Sequence, residues 1–229
     1  METIYQNTLR PRILIADDHA IFLEALRCFL EKSFVVTGTV TDGRSLITEA
    51  VRLKPDVIIA DVGMPLLNGL DAARRVREQI PGVRLVFLTM QKDANLAAAA
   101  IELGHAAFVL KHSAATELVT AIEQVWRGKS YISPKLRPED WVEQRARVKQ
   151  FSKSLTSRQR DILQLFAEGF CLKEIAARLN LSPKTIEFHK HQIMTEFNLQ
   201  SNAALVLFAL KKGLISIDKD IPYAERRAG

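Results

Sequence analysis

The amino-acid sequence predicts a five-stranded, doubly wound parallel α/β sheet with strand order 2-1-3-4-5, followed by a smaller all-helical domain. Three observations predict this combination. Short apolar segments rich in β-branched residues alternate with helical patterns from residue 11 to about residue 130. The connections are short and carry turn signals such as Asp42-Gly43 and Pro81-Gly82. After residue 153 only helical patterns occur. Five βα units of this kind are typical of a parallel sheet with helices on both faces.

Four of the apolar segments end at a polar side chain that can take part in chemistry. The segments are 13–16, 57–60, 85–88 and 107–110, and they are followed by Asp17-Asp18, Asp61, Thr89 and Lys111. Short buried segments of this composition are typical of strands in a parallel sheet. Ligands bind at the carboxyl ends of such strands, and the predicted order places strands 1 and 3 side by side. We therefore expect the three carboxylates to converge in one pocket.

The helical patterns divide the chain into two domains and a connection. In the first domain, residues 11–130, they cover 19–31, 44–53, 69–79, 95–103 and 116–127. Residues 131–153 are predicted to be a linker that includes a charged, partly helical stretch at 139–150. Residues 154–217 form the helical domain and 218–229 a tail.

The composition favours a cytoplasmic protein without membrane association. Of 229 residues, 48% are hydrophobic and 25% charged, as in soluble globular proteins. No uncharged apolar stretch reaches the roughly 18 residues of a membrane span, and Met1–Arg10 has no apolar core of the kind that a secretory signal needs. Cys28 and Cys171 lie in helical patterns, and we interpret both as small buried hydrophobic residues of a reducing compartment.

Three neighbouring carboxylates require a partner of opposite charge. At an effective dielectric constant of 20, each pair at 4 Å repels by about 4 kcal/mol, so that one carboxyl would otherwise take up a proton. Mg²⁺ solves this problem because it binds through one or two carboxylates, water and phosphoryl oxygens. Asp61 can then attack a phosphoryl donor while Lys111 neutralises the phosphoryl oxygens, which gives an aspartyl phosphate.

These residues resemble the receiver domains of two-component response regulators, which have a flavodoxin-like sheet. The match covers about half the chain through Asp17-Asp18-His19, Asp61-Val62-Gly63-Met64-Pro65, Gly69, Thr89 and Lys111-His112-Ser113. The resemblance implies that Asp18, Asp61 and the Gly63 carbonyl hold Mg²⁺. It also implies that Asp17 contributes through water.

The same resemblance implies roles in phosphorylation and switching. Asp61 would be the phospho-acceptor, and Thr89 and Lys111 would bind the phosphoryl group. Thr89 and Phe108 would be the switch residues, with Phe108 as the aromatic side chain that turns inward. Met90 stands where many receivers have a small residue, and it could narrow access to Asp61.

Residues 131–229, which include the helical domain, carry the whole formal net charge of +6, while residues 1–130 are balanced. A basic second domain favours a nucleic-acid partner. Within it, the stretch Lys173–Leu179, the turn Asn180-Leu181, and Ser182 as cap before Pro183 predict a helix-turn-helix. On the third helix, Phe188 lies opposite the core side, among basic residues. An exposed aromatic there suits a helix in the major groove, where it can touch a thymine methyl group.

This region resembles the C-terminal domain of the NarL/FixJ (LuxR-type) regulators. The match runs through Leu155-Thr156, Arg158, Ala167-Glu168-Gly169, Lys173-Glu174-Ile175-Ala176, Leu181-Ser182, Lys184-Thr185-Ile186-Glu187, His189 and Ile193. The resemblance implies four helices, of which the last, at 203–212, pairs two monomers. The predicted DNA-contact residues are Lys184, Thr185, Glu187, Phe188, His189, Lys190 and His191.

Together the two domains predict a bacterial response regulator and transcription factor, and not an enzyme. Phosphorylation of Asp61 by a partner sensor histidine kinase would control homodimer formation and binding to double-stranded promoter DNA. One alternative is a DNA-binding regulator whose receiver is a non-phosphorylated dimerisation scaffold. A second is a phosphatase-like enzyme that uses Asp61 on small substrates, although the sequence suggests no specificity loop.

Overall fold

The computed structural model describes residues 10–90, 92–136 and 155–215. The predicted connector at 139–150 and the predicted tail at 218–229 lie outside these residues. Within the described ranges, no helix has the length and apolar character that crossing a membrane requires.

The first domain alternates strands and helices, as the sequence predicts. Its elements are β1 Arg12–Ala16, α1 Ala20–Leu30, β2 Val35–Val40, α2 Gly43–Leu53, β3 Val57–Asp61, α3 Gly69–Gln79, β4 Arg84–Thr89, α4 Ala94–Glu102, β5 Ala106–Leu110, α5 Ala114–Trp126 and β6 Tyr131–Ile132. A short 3-10 turn, Lys111–Ser113, joins β5 to α5. Each predicted helix agrees with the observed one to within two residues at either end.

Among the described residues the sheet has six strands in the order β2-β1-β3-β4-β5-β6, so the predicted order is confirmed and the predicted number is wrong by one. The additional strand is Tyr131–Ile132, which pairs in parallel with β5. These two residues were assigned to the linker, because two residues are too few to show a strand pattern. β6 lies at the sheet edge, where pairing on one side is sufficient.

Side chains alternate between the two faces of the sheet and are buried on both. On β3, Ile58 and Ala60 join a cluster covered by α2, α3 and α4. Val57 and Ile59 join the opposite cluster, which α1 and α5 cover. Burial on both faces explains why these strands are continuously apolar instead of alternating with polar residues.

The second domain has four helices among its described residues. They are α6 Ser157–Ala167, α7 Leu172–Leu179, α8 Pro183–Glu196 and α9 Asn202–Lys211. Thr156 caps α6 in a capping box with Gln159, and Ser182 caps α8 with Pro183 at its first position. Asn180 ends α7 in the left-handed conformation, which makes the short turn of the helix-turn-helix.

The prediction for the cysteines is wrong, because both are exposed. Cys28 lies on the polar face of α1, where its Sγ is 3.7 Å from Glu24 Oε1. Cys171 precedes the first residue of α7 and occupies its N-cap. A helical pattern places a residue on a helix but leaves open which face of that helix a single small residue occupies.

Candidate functional site

The three predicted carboxylates meet at the carboxyl edge of the sheet. Asp17 follows β1, and Asp61 ends β3, which pairs with β1 in register. One ligand atom from each of Asp17, Asp18, His19 and Asp61 lies within 4.8 Å of all the others. Asp17 is fully buried and Asp61 nearly so, so the cluster is a built pocket and not a patch of solvated acids.

Lys111 enters the pocket from the end of β5 and neutralises part of this charge. Its Nζ lies 2.8 Å from Asp17 Oδ2 and 3.2 Å from Asp61 Oδ2. The lysine side chain is itself buried, and its Nζ is 5.0 Å from the centre of the Phe22 ring. A buried lysine with two carboxylate partners holds a fixed position, from which its charge also reaches any group bound to Asp61.

Burial raises the pKa of Asp61 to about 6, with Lys111 opposing the rise and Asp17 adding to it. The Gly63 backbone N–H donates to the Asp61 carboxylate and also favours its ionised form. Because one lysine cannot balance three carboxylates, the pocket retains excess negative charge. A cation would remove this excess.

The donor set fits Mg²⁺. Three carboxylates with ligand atoms within 4.8 Å of one another supply the hard oxygen ligands that this ion prefers. His19 belongs to the same cluster: its Nδ1 lies 3.2 Å from Asp17 Oδ1 and 3.3 Å from Asp18 Oδ1. As predicted it starts a helix, as the N-cap of α1, and its backbone N–H donates to Asp17 Oδ1. These contacts hold Asp17 in place.

Gly69 explains how the loop after Asp61 keeps its shape. A Cβ atom at this position would lie 2.1 Å from the backbone oxygen of Asp61, so only glycine lets α3 start so close to β3. Asn68 caps the same helix by accepting from the Asp71 backbone N–H. The first turn of α3 therefore packs directly against β3, the strand that carries Asp61.

The predicted phosphoryl-binding and switch residues are all buried, on or directly after strands β4 and β5. Thr89 ends β4, is buried, and lines the same cavity as Asp61 and Lys111. Met90 also lines this cavity and is 55% exposed, at its entrance. Phe108 is fully buried on β5, so in this structure its side chain already points inward.

The predicted DNA-contact residues lie on α8, whose core side carries the fully buried Ile186 and Ile193. The exposed ones are Lys184, Glu187, Phe188 and His191, and the half-buried ones are Thr185, His189 and Lys190. Phe188 is 58% exposed, so it does not serve to fill the core of its domain. Lys190 instead places its Nζ 4.4 Å from the centre of the Phe166 ring.

Helix α9 has apolar residues on its buried and its exposed sides. Leu205 and Ala209 are buried in the core of the second domain, and Val206 packs partly against it. Leu207 is 59% exposed. The outward apolar position of this helix is therefore Leu207.

Sequence reasoning missed a contact between the two domains at the loop that follows Asp61. The Leu66 backbone N–H donates to the carboxylate of Glu168, at 3.1 and 3.2 Å. Gln164 is 1% exposed. Its Oε1 accepts from the Asn68 backbone N–H at 2.9 Å, and its Nε2 donates to the Met64 carbonyl at 3.1 Å.

Two ion pairs extend this contact along α3. Arg160 Nε lies 2.9 Å from Asp71 Oδ1, and Arg75 Nη2 lies 2.5 Å from Asp161 Oδ1. In these ion pairs and in the hydrogen bonds described above, the residues of the second domain lie on α6 or directly after it. Polar residues at 160, 164 and 168 recur every four residues, which is one face of a helix. Such a face is usually solvated, so its spacing gave no sign of a partner.

Comparison with known proteins identifies both domains. Residues 13–123 match the family described as response regulator receiver domain, and residues 153–209 match the bacterial regulatory proteins of the luxR family. The oxygen regulatory protein NreC of Staphylococcus epidermidis is 34% identical over 215 residues, which are 89% of this chain and 99% of that protein.

Solved structures of the RcsB response regulator of Salmonella typhimurium have the same two-domain organisation. One, described by its conformational dynamism for DNA interaction, is 29% identical with a TM-score of 0.61 and covers 88% of this chain and 97% of its own. Another, bound to promoter rprA with the phosphomimetic BeF3-, is 29% identical with a TM-score of 0.59 and covers 86% and 98%. The chain therefore belongs to the response regulators, as a transcription factor that joins a receiver domain to a LuxR-type DNA-binding domain.

Proposed function

We propose that a sensor histidine kinase phosphorylates Asp61 and thereby switches this regulator from weak to strong promoter binding. The observation that supports this most is the convergence of Asp17, Asp18 and Asp61 with Lys111 at one sheet edge. In this proposal the receiver spans residues 11–130 together with the edge strand β6, a linker follows it to residue 153, the DNA-binding domain spans 154–217 and a tail 218–229. The protein acts in the cytoplasm.

The transfer step follows from the positions of these groups. A carboxylate oxygen of Asp61 attacks the phosphorus of the kinase phosphohistidine, and the new O–P bond forms as the N–P bond breaks and imidazole leaves. Asp18, Asp61 and the Gly63 carbonyl would hold Mg²⁺, with Asp17 acting through water, and the ion would supply positive charge to the phosphoryl oxygens. Lys111, which its two carboxylate partners hold in place, also supplies positive charge to the phosphoryl oxygens. Catalysis by the protein is limited to its own phosphorylation.

The phosphoryl group then biases the conformation through Thr89 and Lys111. Two or three charge-assisted hydrogen bonds contribute about 1.5–3 kcal/mol each. Reversing a 1:99 equilibrium needs about 5.5 kcal/mol. The contacts of the phosphoryl group with Thr89 and Lys111 are therefore of the order of magnitude that this reversal requires.

The output is binding of a homodimer to double-stranded DNA. The exposed face of α8, with Lys184, Glu187, Phe188 and His191, faces the major groove, and Thr185, His189 and Lys190 flank it. Leu207 on α9 supplies the exposed apolar contact between monomers, which a two-fold dimer repeats on both subunits. That arrangement presents two recognition helices to adjacent half-sites.

Labelling with a small acyl phosphate tests the acceptor. Wild type incubated with acetyl phosphate and Mg²⁺ is expected to gain one phosphoryl group, and Asp61→Asn none, as measured by intact-protein mass. Removal of Mg²⁺ with EDTA should abolish labelling of the wild type. Labelling that survives Asp61→Asn contradicts the acceptor assignment. A wild type that takes up no phosphoryl group, yet binds DNA cooperatively, instead favours the scaffold alternative, with Met90 narrowing the pocket.

A further inference from the structure

The turn that follows α9 lies over the acid pocket of the other domain. Gly213 and Ile215 line the same cavity as Asp61, Thr89 and Lys111. Leu214, between these two residues, is buried in the core of the DNA-binding domain. The turn is therefore fixed to the DNA-binding domain while its flanking residues face the receiver.

Gly213 brings this turn into direct contact with α4 of the receiver. A Cβ atom at position 213 would lie 2.5 Å from Leu96 Cδ2 and within 3.4 Å of two further atoms of that side chain. The residue also has a φ of +66°, a conformation that favours glycine. The backbone of the turn thus lies directly against the Leu96 side chain, which would have to shift if residue 213 carried a Cβ atom.

The cavity that remains beneath the turn is small. Its volume is about 40 Å³, and one water molecule needs at least about 10–15 Å³ measured in this way. A few waters or a hydrated ion fill such a space. An acyl phosphate, or the imidazole ring that carries a phosphoryl group on a kinase, is larger than a few waters, and the apolar part of the wall includes Met90, Leu96 and Ile215.

We infer that Gly213 and Ile215 of the DNA-binding domain are specificity-determining residues of the phosphoryl-transfer site. With the turn in place they close the pocket to phosphodonors. A donor reaches Asp61 only in the fraction of molecules in which the turn has moved away. This contact does not cover the recognition helix α8, because Lys184, Glu187 and Phe188 are exposed. The inference rests on the proposed function, since it concerns access to Asp61.

Contacts distant from the pocket hold the turn in place. The pair between Arg75 on α3 and Asp161 on α6 joins the two domains without lining the cavity. Arg52 pairs with Glu49 within α2 of the receiver. Removing the Arg75 pair should open the pocket even though no cavity residue changes. Removing the Arg52 pair offers a matched control.

The test compares labelling rates of the full chain with two donors in the presence of Mg²⁺, the small acetyl phosphate and the bulkier benzoyl phosphate. Ile215→Ala is expected to raise the rate at least about threefold, because the observed rate scales with the open fraction. The gain should be larger for benzoyl phosphate. Val51→Ala, an exposed apolar residue on α2 away from the cavity, should leave both rates unchanged.

Arg75→Ala provides a second route to the same result, since Ile215 also packs against its own domain and its truncation can destabilise that domain. Arg75→Ala should speed labelling by both donors, and Arg52→Ala should not. If Asp61 is labelled in wild type, and Ile215→Ala and Arg75→Ala both label at the wild-type rate with an unchanged donor ratio, the turn does not control access. If wild type is not labelled at Asp61 at all, the proposed function fails first and this inference with it.

Discussion

The functional groups of the acid pocket are buried, whereas those of the recognition helix α8 are exposed. In the pocket, Asp17, Asp61 and Lys111 are buried and lie within ion-pair distance before any ligand arrives. On α8, Lys184 and Phe188 are exposed, and the groups they would contact belong to another molecule. Substitutions in the pocket should therefore change the stability of the protein as well as its function. Substitutions on the exposed face of α8 should change DNA binding alone.

Lys111→Met should give the largest stability effect. It leaves the buried Asp17 and Asp61 without their cation, and breaking a buried ion pair on one side costs about 3–5 kcal/mol. Urea unfolding in EDTA should show this loss, and added Mg²⁺ should restore part of it by binding the folded state. Any phosphorylated Lys111→Met should also lack the gain in DNA affinity.

Lys129→Met is the matched control, because Lys129 is exposed and should contribute little. Equal stability of the two variants in EDTA would mean that the pocket charges are not coupled to folding, and that the contrast with α8 is unfounded.

The second largest effect is expected for Asp61→Asn, whose stability should differ from that of wild type by an amount that depends on pH. The pKa of Asp61 is raised from 3.8 to about 6 in the folded protein, so the folded state binds its proton more tightly than the unfolded state does. This stabilisation is complete below pH 3.8 and is lost as the pH rises through 6. Without Mg²⁺, ionised Asp61 therefore lowers the free energy of unfolding by up to about 3 kcal/mol at pH 8.

Asp61→Asn, which stays neutral, should accordingly be more stable than wild type at pH 8 in EDTA, and the difference should vanish near pH 4. Thermal melts across this range measure it. A difference that grows as the pH falls has the wrong sign and would show that Lys111 outweighs burial at this site.

Much of the pocket could be predicted because its signals are local. An acid directly after a buried strand is visible in the sequence, and the parallel topology brings Asp61, Thr89 and Lys111 to one edge. The interdomain contact could not be predicted in this way. Gln164 and Glu168 are polar residues on a helix, and nothing in their spacing distinguishes a partner domain from water. Gly213 likewise predicts a helix end, and its close approach to Leu96 depends on how two domains meet.

Phe188→Ala tests the other side of the comparison. It should cost about 1–3 kcal/mol on the preferred DNA site and relax the preference at one or two base positions. The melting temperature should change little, since the ring is largely exposed. Phe170→Ala should do the reverse, because Phe170 is buried in the core beside α7. Selection from randomised sites and thermal melts of both variants separate the two roles.

Two lysines on α8 test how much phosphate contacts contribute to DNA binding. Lys184 is exposed at the helix start, where phosphate contacts collect, so Lys184→Ala should weaken binding to all sequences and lower the salt slope by about 1. Lys190 is partly engaged with Phe166, and its removal should lower the slope less. If Phe188→Ala lowers the melting temperature but leaves the site preference unchanged, α8 does not read bases through this residue.

Leu207→Glu should have the smallest effect, confined to binding that needs two subunits. The side chain is 59% exposed on α9, so a charge there leaves the domain core intact and disfavours only an apolar contact with a second copy. Cooperative binding to a fragment with two half-sites should weaken roughly tenfold, or about 1.4 kcal/mol, while binding to one half-site stays the same. Val51→Glu, at an exposed position on α2, should change neither. Unaltered cooperativity in a folded Leu207→Glu protein would place the dimer contact elsewhere, and α9 would then serve only its own domain and the turn above the pocket.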